Sequence, residues 1–295
     1  MWKMRPELAR PMRPESEYLR PEPVEGRIPA ASRRARPAAE TMITTDNVAV
    51  GFDEVASRYD LMVALNPGYH THLRAAADGL VEWLPRPELS AQPSTPVRLL
   101  DLGCGSGAST RAALQAARAA GFGCTIVGVD ASSGMIEQAR AKSWPPGVRF
   151  QVGRAEECAG SGKSWGIDDP VHGVLAAYLF RNVAGRDAVI AGLFDALADD
   201  GVLVVQDYSI AGSGPWAQAL WAAVCWLVII PLGWLTSGRT RLYHYLWRSV
   251  QAFDSVQTFV DRLYAAGFVD VEVRTVAGWQ RGILHTIRAR KRATA

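Results

Sequence analysis

The stretch "DLGCGSGAS", residues 101–109, decides how this chain folds. It follows an apolar run, "VRLLDL" (97–102), and precedes a helical pattern over about 107–120. Its three glycines let the backbone turn sharply and approach a ligand without a Cβ in the way. The stretch therefore predicts a strand, a glycine-rich turn and a helix whose N-terminus faces a bound small molecule.

The alternation of strand and helix continues along the chain. Further strands are predicted at 125–130, 148–152, 173–178 and 202–208, with helices at about 133–142 and 186–198. A helix near 254–266 and two closing strands, 268–276 and 282–290, follow. Ahead of the first strand, residues 52–84 have helical spacing that is broken near Asn66–Gly68. We therefore predict an α/β fold, a doubly wound and mostly parallel sheet of seven strands with an N-terminal helical cap.

Two classes of cofactor fit the glycine loop. Gly103, Gly105 and Ala108 match the G-x-G-x-x-A variant of a dinucleotide site, in which the helix N-terminus holds a pyrophosphate. Asp130 ends the second strand, 23 residues after Gly107, where a carboxylate can accept hydrogen bonds from two ribose hydroxyls. Dinucleotides and S-adenosylmethionine both contain a ribose, so the loop alone leaves an NAD-dependent oxidoreductase open.

The residues around the glycine loop favour S-adenosylmethionine over a dinucleotide. The acid Asp101, a third glycine at Gly107 and the helical cap resemble class I S-adenosylmethionine-dependent methyltransferases, which have a Rossmann-like sheet. Four further stretches resemble the ubiquinone/menaquinone biosynthesis C-methyltransferase family: "FDEVASRYDLM" (52–62), "YLFRNV" (178–183), "LYHYLWRSV" (242–250) and "LYAAGFVDVEV" (263–273). This resemblance implies C-methylation of a hydrophobic, quinol-type ring. O- or N-methylation of another lipid or a polyketide is the alternative within enzymes.

The resemblance also implies roles for individual residues. The cofactor-binding set is Asp101, Gly103, Cys104, Gly105, Ser106, Gly107, Asp130, Ala131, Ser132, Met135, Arg154, Ala155, Ala177 and Tyr178. Arg181, with Asn182 and Tyr59, is expected to face the ring. A fixed positive charge that stabilises a phenolate makes the ring carbon a better nucleophile, and the family needs no metal.

Simpler roles for several of these residues remain open. Arg181 could pair with the surface acid Asp187, and Tyr59 could be a core aromatic. The lone histidines His70 and His244 are treated as structural. Arg154 stands where the family has Asn or Asp for the adenine amino group, and an arginine cannot accept that hydrogen bond.

An apolar segment follows the fifth strand, with no charged residue from Tyr208 to Gly238. A helix between Pro215 and Pro231 would span roughly 22 Å, against about 30 Å of bilayer hydrocarbon. Such a helix is too short to span the bilayer. In the resembling family this position forms a helical lid over a polyprenyl substrate, so the resemblance implies a helical lid, within an insertion at about 210–250, whose apolar surface meets a lipid tail. A buried structural helix and a membrane-spanning helix are the alternatives.

Composition limits the remaining possibilities. Residues 1–41 contain seven prolines and nine basic residues, and we predict a disordered leader there, with Met42 as a possible true start of a methyltransferase domain over 42–295. The rest of the chain has 23 basic and 23 acidic residues, which argues against a nucleic-acid partner, and the "RARKR" cluster (288–292) is treated as a solvated tail. Four scattered cysteines favour a cytoplasmic enzyme. A hydrophobic small-molecule or lipid substrate, peripheral contact with the inner face of a membrane and a homodimer are expected partners.

Overall fold

A sheet with strand order β3-β2-β1-β4-β5-β7-β6 forms the centre of the protein. The computed structural model describes residues 44, 47–53, 56–57, 60, 68–85, 96–160, 165–237 and 240–293. The predicted leader, 1–41, lies outside the described residues. The strands are β1 (Val97–Leu102), β2 (Cys124–Asp130), β3 (Val148–Val152), β4 (Val171–Ala177), β5 (Leu197–Tyr208), β6 (Phe268–Thr275) and β7 (Leu284–Lys291). The first five are parallel and β7 is antiparallel to both neighbours, which confirms the predicted doubly wound, seven-stranded sheet.

The helices cover both faces of this sheet. They are α1 (Val48–Asp53), α2 (Tyr69–Trp83), α3 (Ala108–Ala119), α4 (Ser133–Arg140), α5 (Arg186–Ala196), α6 (Gly214–Val224), α7 (Ile230–Ser237), α8 (Arg241–Gln251) and α9 (Val256–Ala265). Because side chains alternate along a strand, Leu99 packs in the core layer under α2 and α3, while Leu100 packs in the layer under α5 and α9. Burial on both faces explains why the central strands are continuous apolar runs.

The parallel register places four strand ends at one edge of the sheet. Leu102 pairs with Val129, and Ala177 pairs with Gln206, so that β1, β2, β4 and β5 end at the same level. Ligands of doubly wound folds bind beyond the carboxyl ends of the strands, where the strand order reverses. Here the reversal lies between β1 and β4, directly after the glycine loop.

The apolar segment forms one long helix, and its predicted end at Pro231 is wrong. Its stretch from Gly214 to Leu235, 22 residues, is long enough to cross a membrane by length and composition. One π-helical turn, Cys225–Ile229, joins α6 to α7, and the Ile230 N–H donates to the Cys225 carbonyl five residues earlier. A proline normally clashes with the carbonyl four residues before it, and we attribute its tolerance at position 231 to the wider turn just ahead of it.

The basic C-terminal cluster is also not a solvated tail. Arg288 lies in β7 and is buried, and its Nη1 donates to Glu82 Oε2 at 2.7 Å and to the Gly79 carbonyl. Its Nη2 donates to Glu272. The arginine therefore ties the C-terminal strand to α2, which fixes the helix that borders the cofactor edge.

Candidate active site

The glycine loop leaves a bare backbone surface at Gly105. This residue has a φ of 53°, and a Cβ built there would meet no atom within 4 Å. The Gly105 N–H donates to Asp130 Oδ2 at 2.8 Å, which fixes the loop against the end of β2. At Gly107, by contrast, a Cβ would come within 2.8 Å of the Trp144 ring. Gly105 is thus open toward the cleft, whereas Gly107 is required for packing behind it.

Asp130 lies at the centre of the cofactor edge. Its Oδ1 accepts the Ser132 N–H at 2.9 Å and its Oδ2 accepts the Gly105 N–H. Burial raises the pKa of the Asp130 carboxyl, although the two backbone hydrogen bonds act in the opposite direction. Each carboxylate oxygen can accept a second hydrogen bond, so the side chain keeps capacity for two ribose hydroxyls.

Asp101 lies behind the loop and not in the cleft. Its Oδ2 accepts hydrogen bonds from Ser109 Oγ at 2.8 Å and Thr110 Oγ1 at 2.5 Å, at the start of α3. Burial raises the pKa of this carboxyl to about 6, against the opposing effect of the two hydroxyls. The role that the geometry supports is to anchor the first turn of the helix, which in turn holds the loop.

Two acids of the "FDEVASRYDLM" stretch form hydrogen bonds at the cofactor edge, a role that was not predicted from the sequence. Asp53 Oδ1 accepts from Ser132 Oγ at 2.5 Å and from the Gly134 N–H at 2.9 Å. Asp60 accepts from Ser106 Oγ and forms an ion pair with Lys142 at 2.6 Å. Burial alone would raise the pKa of Asp60, but the hydrogen bonds from Lys142 and Ser106 lower it. The sequence feature that could have indicated these roles is the spacing of the two acids within one motif.

A single cleft of about 970 Å³, including its open mouth, joins the cofactor edge to Arg181. Of the predicted residues, the cleft is lined by Gly103, Cys104, Gly105, Ser106, Asp130, Ala131, Met135, Arg154, Ala155, Ala177, Tyr178, Arg181 and Asn182. Asp101, Gly107 and Ser132 support it from behind, and Tyr59 lies outside the described residues.

The part of the cleft that is predicted to hold the adenine contains an arginine with a neighbouring acceptor. Arg154 Nε lies 3.5 Å from Glu156 Oε2, and both residues line the cleft. The Glu156 carboxylate can accept a hydrogen bond from an amino group, which the guanidinium cannot do. The unusual residue at position 154 is therefore compatible with an adenine.

Arg181 forms a buried ion pair with Asp207, a partner that was not predicted from the sequence. Its Nη1 donates to Asp207 Oδ1 at 2.6 Å, and its backbone N–H donates to Oδ2 at 3.2 Å. The side chains are only 7% and 2% exposed. The predicted alternative, a surface pair with Asp187, is wrong, because Asp187 accepts from Arg262 Nη1 at 2.5 Å. The sequence feature that could have identified Asp207 is its position after the apolar run of β5, which matches the position of Asp130 at the end of β2.

Aromatic rings connect Arg181 to the apolar helix. The run Tyr69–Tyr178–Tyr208–Trp221 has ring-centroid distances of 5.3, 5.3 and 5.0 Å. The Arg181 guanidinium carbon lies 5.9 Å from the rings of both Tyr178 and Tyr208. Tyr178 has a φ of 59°, an uncommon conformation for an aromatic residue that is found where a site requires it. We call Tyr69, Tyr178, Tyr208 and Trp221 the aromatic run.

The site has the features that S-adenosylmethionine requires. Gly105 leaves room for close approach of a ligand, and Asp130 offers acceptors for a ribose. The Asn182 Oδ1 atom is buried and has no hydrogen-bond partner among the described residues. Burial also raises the pKa of the Cys104 thiol, which excludes a reactive thiolate beside the loop. Such a cleft can hold a nucleoside cofactor at one end and an aromatic acceptor beneath Arg181 at the other.

Comparisons with known proteins agree with this geometry. Residues 40–287 match the ubiE/COQ5 methyltransferase family. The chain is 32% identical over 218 residues to the demethylmenaquinone methyltransferase of Thermus thermophilus, covering 74% of this chain and 90% of that protein. It is 29% identical over 232 residues to the ubiquinone/menaquinone biosynthesis C-methyltransferase UbiE of Bradyrhizobium diazoefficiens, covering 77% and 85%.

Solved structures share the fold at lower identity. The plantazolicin methyltransferase BamL, in complex with a triazolic desmethylPZN analog and SAH, superposes with a TM-score of 0.56 at 12% identity, covering 84% of this chain and 97% of its own. Phosphoethanolamine N-methyltransferase 2 of Haemonchus contortus, in complex with S-adenosyl-L-methionine, gives a TM-score of 0.55 at 15% identity, with 86% and 61% covered. These likenesses identify the sheet architecture.

Proposed function

We infer that this chain, which belongs to the ubiE/COQ5 methyltransferase family, methylates a ring carbon of a hydrophobic, quinol-type acceptor bound beneath Arg181. The observation that carries the proposal is the position of Arg181 next to the rings of Tyr178 and Tyr208, in the same cleft as the Gly105 loop. S-adenosylmethionine, the cofactor of this enzyme, supplies an electrophilic methyl group when it is bound. The residues of the chain must therefore orient the ring and make its carbon nucleophilic.

We assign to Arg181 the stabilisation of the acceptor oxygen. A quinol carbon is a weak nucleophile until the neighbouring hydroxyl loses its proton, and a guanidinium stabilises the phenolate that results. Arginine keeps its own proton near neutral pH, so water in the open cleft is the proton acceptor. The new carbon–carbon bond would form as the methyl–sulfur bond breaks, which would leave S-adenosylhomocysteine. The ring then loses the hydrogen of that carbon as a proton, and the oxygen regains a proton. The net change is one proton released.

Asp207 determines how strong that stabilisation can be. A carboxylate 2.6 Å from Nη1 offsets most of the arginine's charge, so Arg181 acts as an oriented hydrogen-bond donor more than as a free cation. The pair also lets a charged group remain in a site this buried, since an unpaired guanidinium there would be strongly destabilising. A guanidinium that is held in one orientation and whose charge is largely offset suits an apolar acceptor, because little charge has to lose its water when that acceptor binds.

The apolar helix supplies a surface for the rest of the acceptor. Trp221 and Cys225 on its inner face pack on Tyr208, Ile283 and Leu284, at the end of the aromatic run. Trp226 contacts the rings of His244 and Trp247, and Ile230 is buried. We propose that this surface is a lid that holds a lipid tail while the ring lies beside Arg181.

The test is a product analysis with labelled S-adenosylmethionine and a short-tailed demethylated naphthoquinol. We expect the label on a ring carbon, detected by mass spectrometry of the product. The matched control is the same quinol with its hydroxyls already methylated, which cannot form a phenolate and should not react. Label on oxygen, or turnover of the blocked compound, would contradict the proposed role of Arg181.

A further inference from the structure

The face of the long helix that points away from the protein is almost entirely apolar. Twelve residues between Gly214 and Leu235 are exposed, and one of them, Gln218, is polar. The other eleven are Pro215, Trp216, Ala219, Leu220, Ala223, Trp226, Leu227, Val228, Pro231, Trp234 and Leu235. The exposed fractions reach 87% at Trp216, 76% at Leu227 and 72% at Leu235. A helix on the surface of a water-soluble protein carries polar residues on this face, so water is not the medium that it fits.

The opposite face fixes the orientation of the helix. Trp221 and Cys225 are buried against the end of the sheet, and a Cβ at Gly233 would overlap the Tyr243 ring. The helix is therefore attached to the domain from its second turn to its last. A spanning helix is surrounded by lipid or by other spanning helices, whereas this one has a folded domain along its side. Its length permits a span, but its packing favours an orientation parallel to the surface that it contacts.

Three exposed tryptophans indicate what that surface is. Trp216 and Trp234, near the two ends of the helix, are 87% and 59% exposed, and Trp226 in its middle is 49% exposed. Tryptophan is enriched where hydrocarbon meets the polar headgroups of a bilayer, because its ring is apolar and its N–H is polar. In a helix that lies flat, the tryptophans at its two ends reach a similar depth.

A second copy of the chain fits this face less well. A helix of 22 residues presents a strip about 33 Å long and about 10 Å wide. A stable protein interface takes about 800 Å² of accessible surface from each partner, with a polar rim of hydrogen bonds around an apolar centre. Apart from Gln218, the exposed side chains of this face supply no hydrogen-bonding groups beyond the tryptophan N–H groups, so the face lacks such a rim.

We propose that the outward face of the Gly214–Leu235 helix inserts into one leaflet of a lipid bilayer, parallel to its plane, and brings the cleft to an acceptor dissolved there. The inner side of the same helix carries Trp221, the last member of the aromatic run, and Tyr69 and Tyr178 of that run line the cleft. The same helix thus contacts lipid on its outer side and, on its inner side, the aromatic run that reaches the cleft. The choice of acceptor rests on the proposed function, but the contact with lipid does not.

The experiment is flotation of the intact protein with vesicles of pure phosphatidylcholine. Because the face carries no charge, we expect binding without anionic lipid and with little change at high salt. The triple variant Trp216→Gln, Leu227→Gln, Leu235→Gln should reduce the vesicle partition coefficient about a hundredfold, since three large apolar groups no longer leave water. The matched control is Tyr264→Gln on α9, an exposed aromatic outside the helix, which should bind like the parent.

The depth of the tryptophans in the bilayer and the oligomeric state of the protein distinguish the remaining outcomes. In variants that keep one of the two end tryptophans, brominated lipids should quench Trp216 and Trp234 at the same shallow depth. Quenching at opposite sides of the bilayer would overturn the flat orientation. Absence of vesicle binding, with a dimer in sedimentation velocity that the triple variant dissociates, would identify a self-association face and also overturn the proposal.

Turnover of a soluble, short-tailed quinol distinguishes this proposal from the proposed function. The triple variant should retain that turnover and lose turnover of a long-tailed quinol presented in vesicles. If the parent protein binds vesicles but methylates neither quinol, the proposed function fails and the lipid contact stands. If it methylates both quinols equally well without binding vesicles, the lipid contact fails and the function stands.

Discussion

Asp207 Oδ1 lies 2.6 Å from Arg181 Nη1, and both side chains are buried beside the cleft that Gly105 also lines. The acid ends β5 and the arginine lies in the single 3₁₀ turn, Phe180–Asn182, that follows β4. The Arg181 N–H also donates to Oδ2 at 3.2 Å, so one carboxylate holds both the backbone and the side chain of the turn. The Asp207 carboxylate therefore fixes the orientation of the guanidinium and also offsets its charge.

Replacing Arg181 with alanine should lower kcat on the order of a hundredfold with little change in the Kd of S-adenosylmethionine. A hydrogen bond that strengthens as charge develops in the transition state contributes to the rate and not to cofactor binding. Stopped assays for kcat and calorimetry for Kd separate the two quantities. Arg181→Lys should recover part of the rate, because an ammonium keeps the charge without the planar fork. Full turnover by the alanine variant would exclude a role in the reaction.

Asp207→Asn should reduce the free energy of unfolding by about 3 kcal/mol or more, because it leaves the Arg181 charge buried without an opposite charge. Urea unfolding at neutral pH measures this change. The double variant Arg181→Met, Asp207→Asn is the control, and it should be more stable than Asp207→Asn alone. A single variant as stable as the parent would mean that solvent reaches the guanidinium.

Asp130→Ala should weaken S-adenosylmethionine binding by more than tenfold, about 1.4 kcal/mol. The substitution removes the acceptors for the ribose and also releases the Gly105 and Ser132 N–H groups that hold the loop. Calorimetry gives the affinity, and Asp261→Ala on the exposed side of α9 is the matched control. Unchanged affinity in the Asp130 variant would contradict the cofactor assignment.

Asp101 should make the protein less stable as pH rises from about 4 to about 6. Its pKa is about 6 in the folded protein and near 3.8 when unfolded, so the folded state binds the proton more tightly. Stability is lost as the group ionises and stays lower above pH 6. Relative to the parent, Asp101→Asn should therefore gain about 2 to 3 kcal/mol between pH 4 and pH 8. Denaturant titrations of both proteins without cofactor test this, and a pH-independent difference would contradict it.

Substituting serine for Trp226 and Ile230 should reduce turnover of a long-tailed quinol far more than turnover of a tail-less analogue. Contacts with a tail contribute roughly 25 cal/mol per Å² of buried apolar surface, and the analogue makes none of them. Steady-state kcat/KM for the two substrates is the measurement, and each substrate is the control for the other. Equal losses on both would indicate that the lid residues act through the fold alone.

The sequence by itself predicted the sheet and the cofactor edge. The apolar runs, their spacing and the glycine loop are local signals, and each acts within one βα unit. For this reason β1 and β3 begin and end where they were predicted, and Asp130 lies at the end of β2 beside Gly105. The continuation of the long helix past Pro231 was missed because one π turn changes where the proline ring lies, and periodicity does not report it.

Only the tertiary structure decided which partners these residues have. Asp207 is 26 residues from Arg181, and the register of β4 and β5 brings the two together. Asp53 and Asp60 reach Ser132 and Ser106 from 79 and 46 residues away. Long-range pairs of this kind leave no periodic trace, because the side chains that meet are set by how whole elements pack. The composition of the long helix was evident in the sequence, but the face that it leaves exposed depended on where the sheet ends.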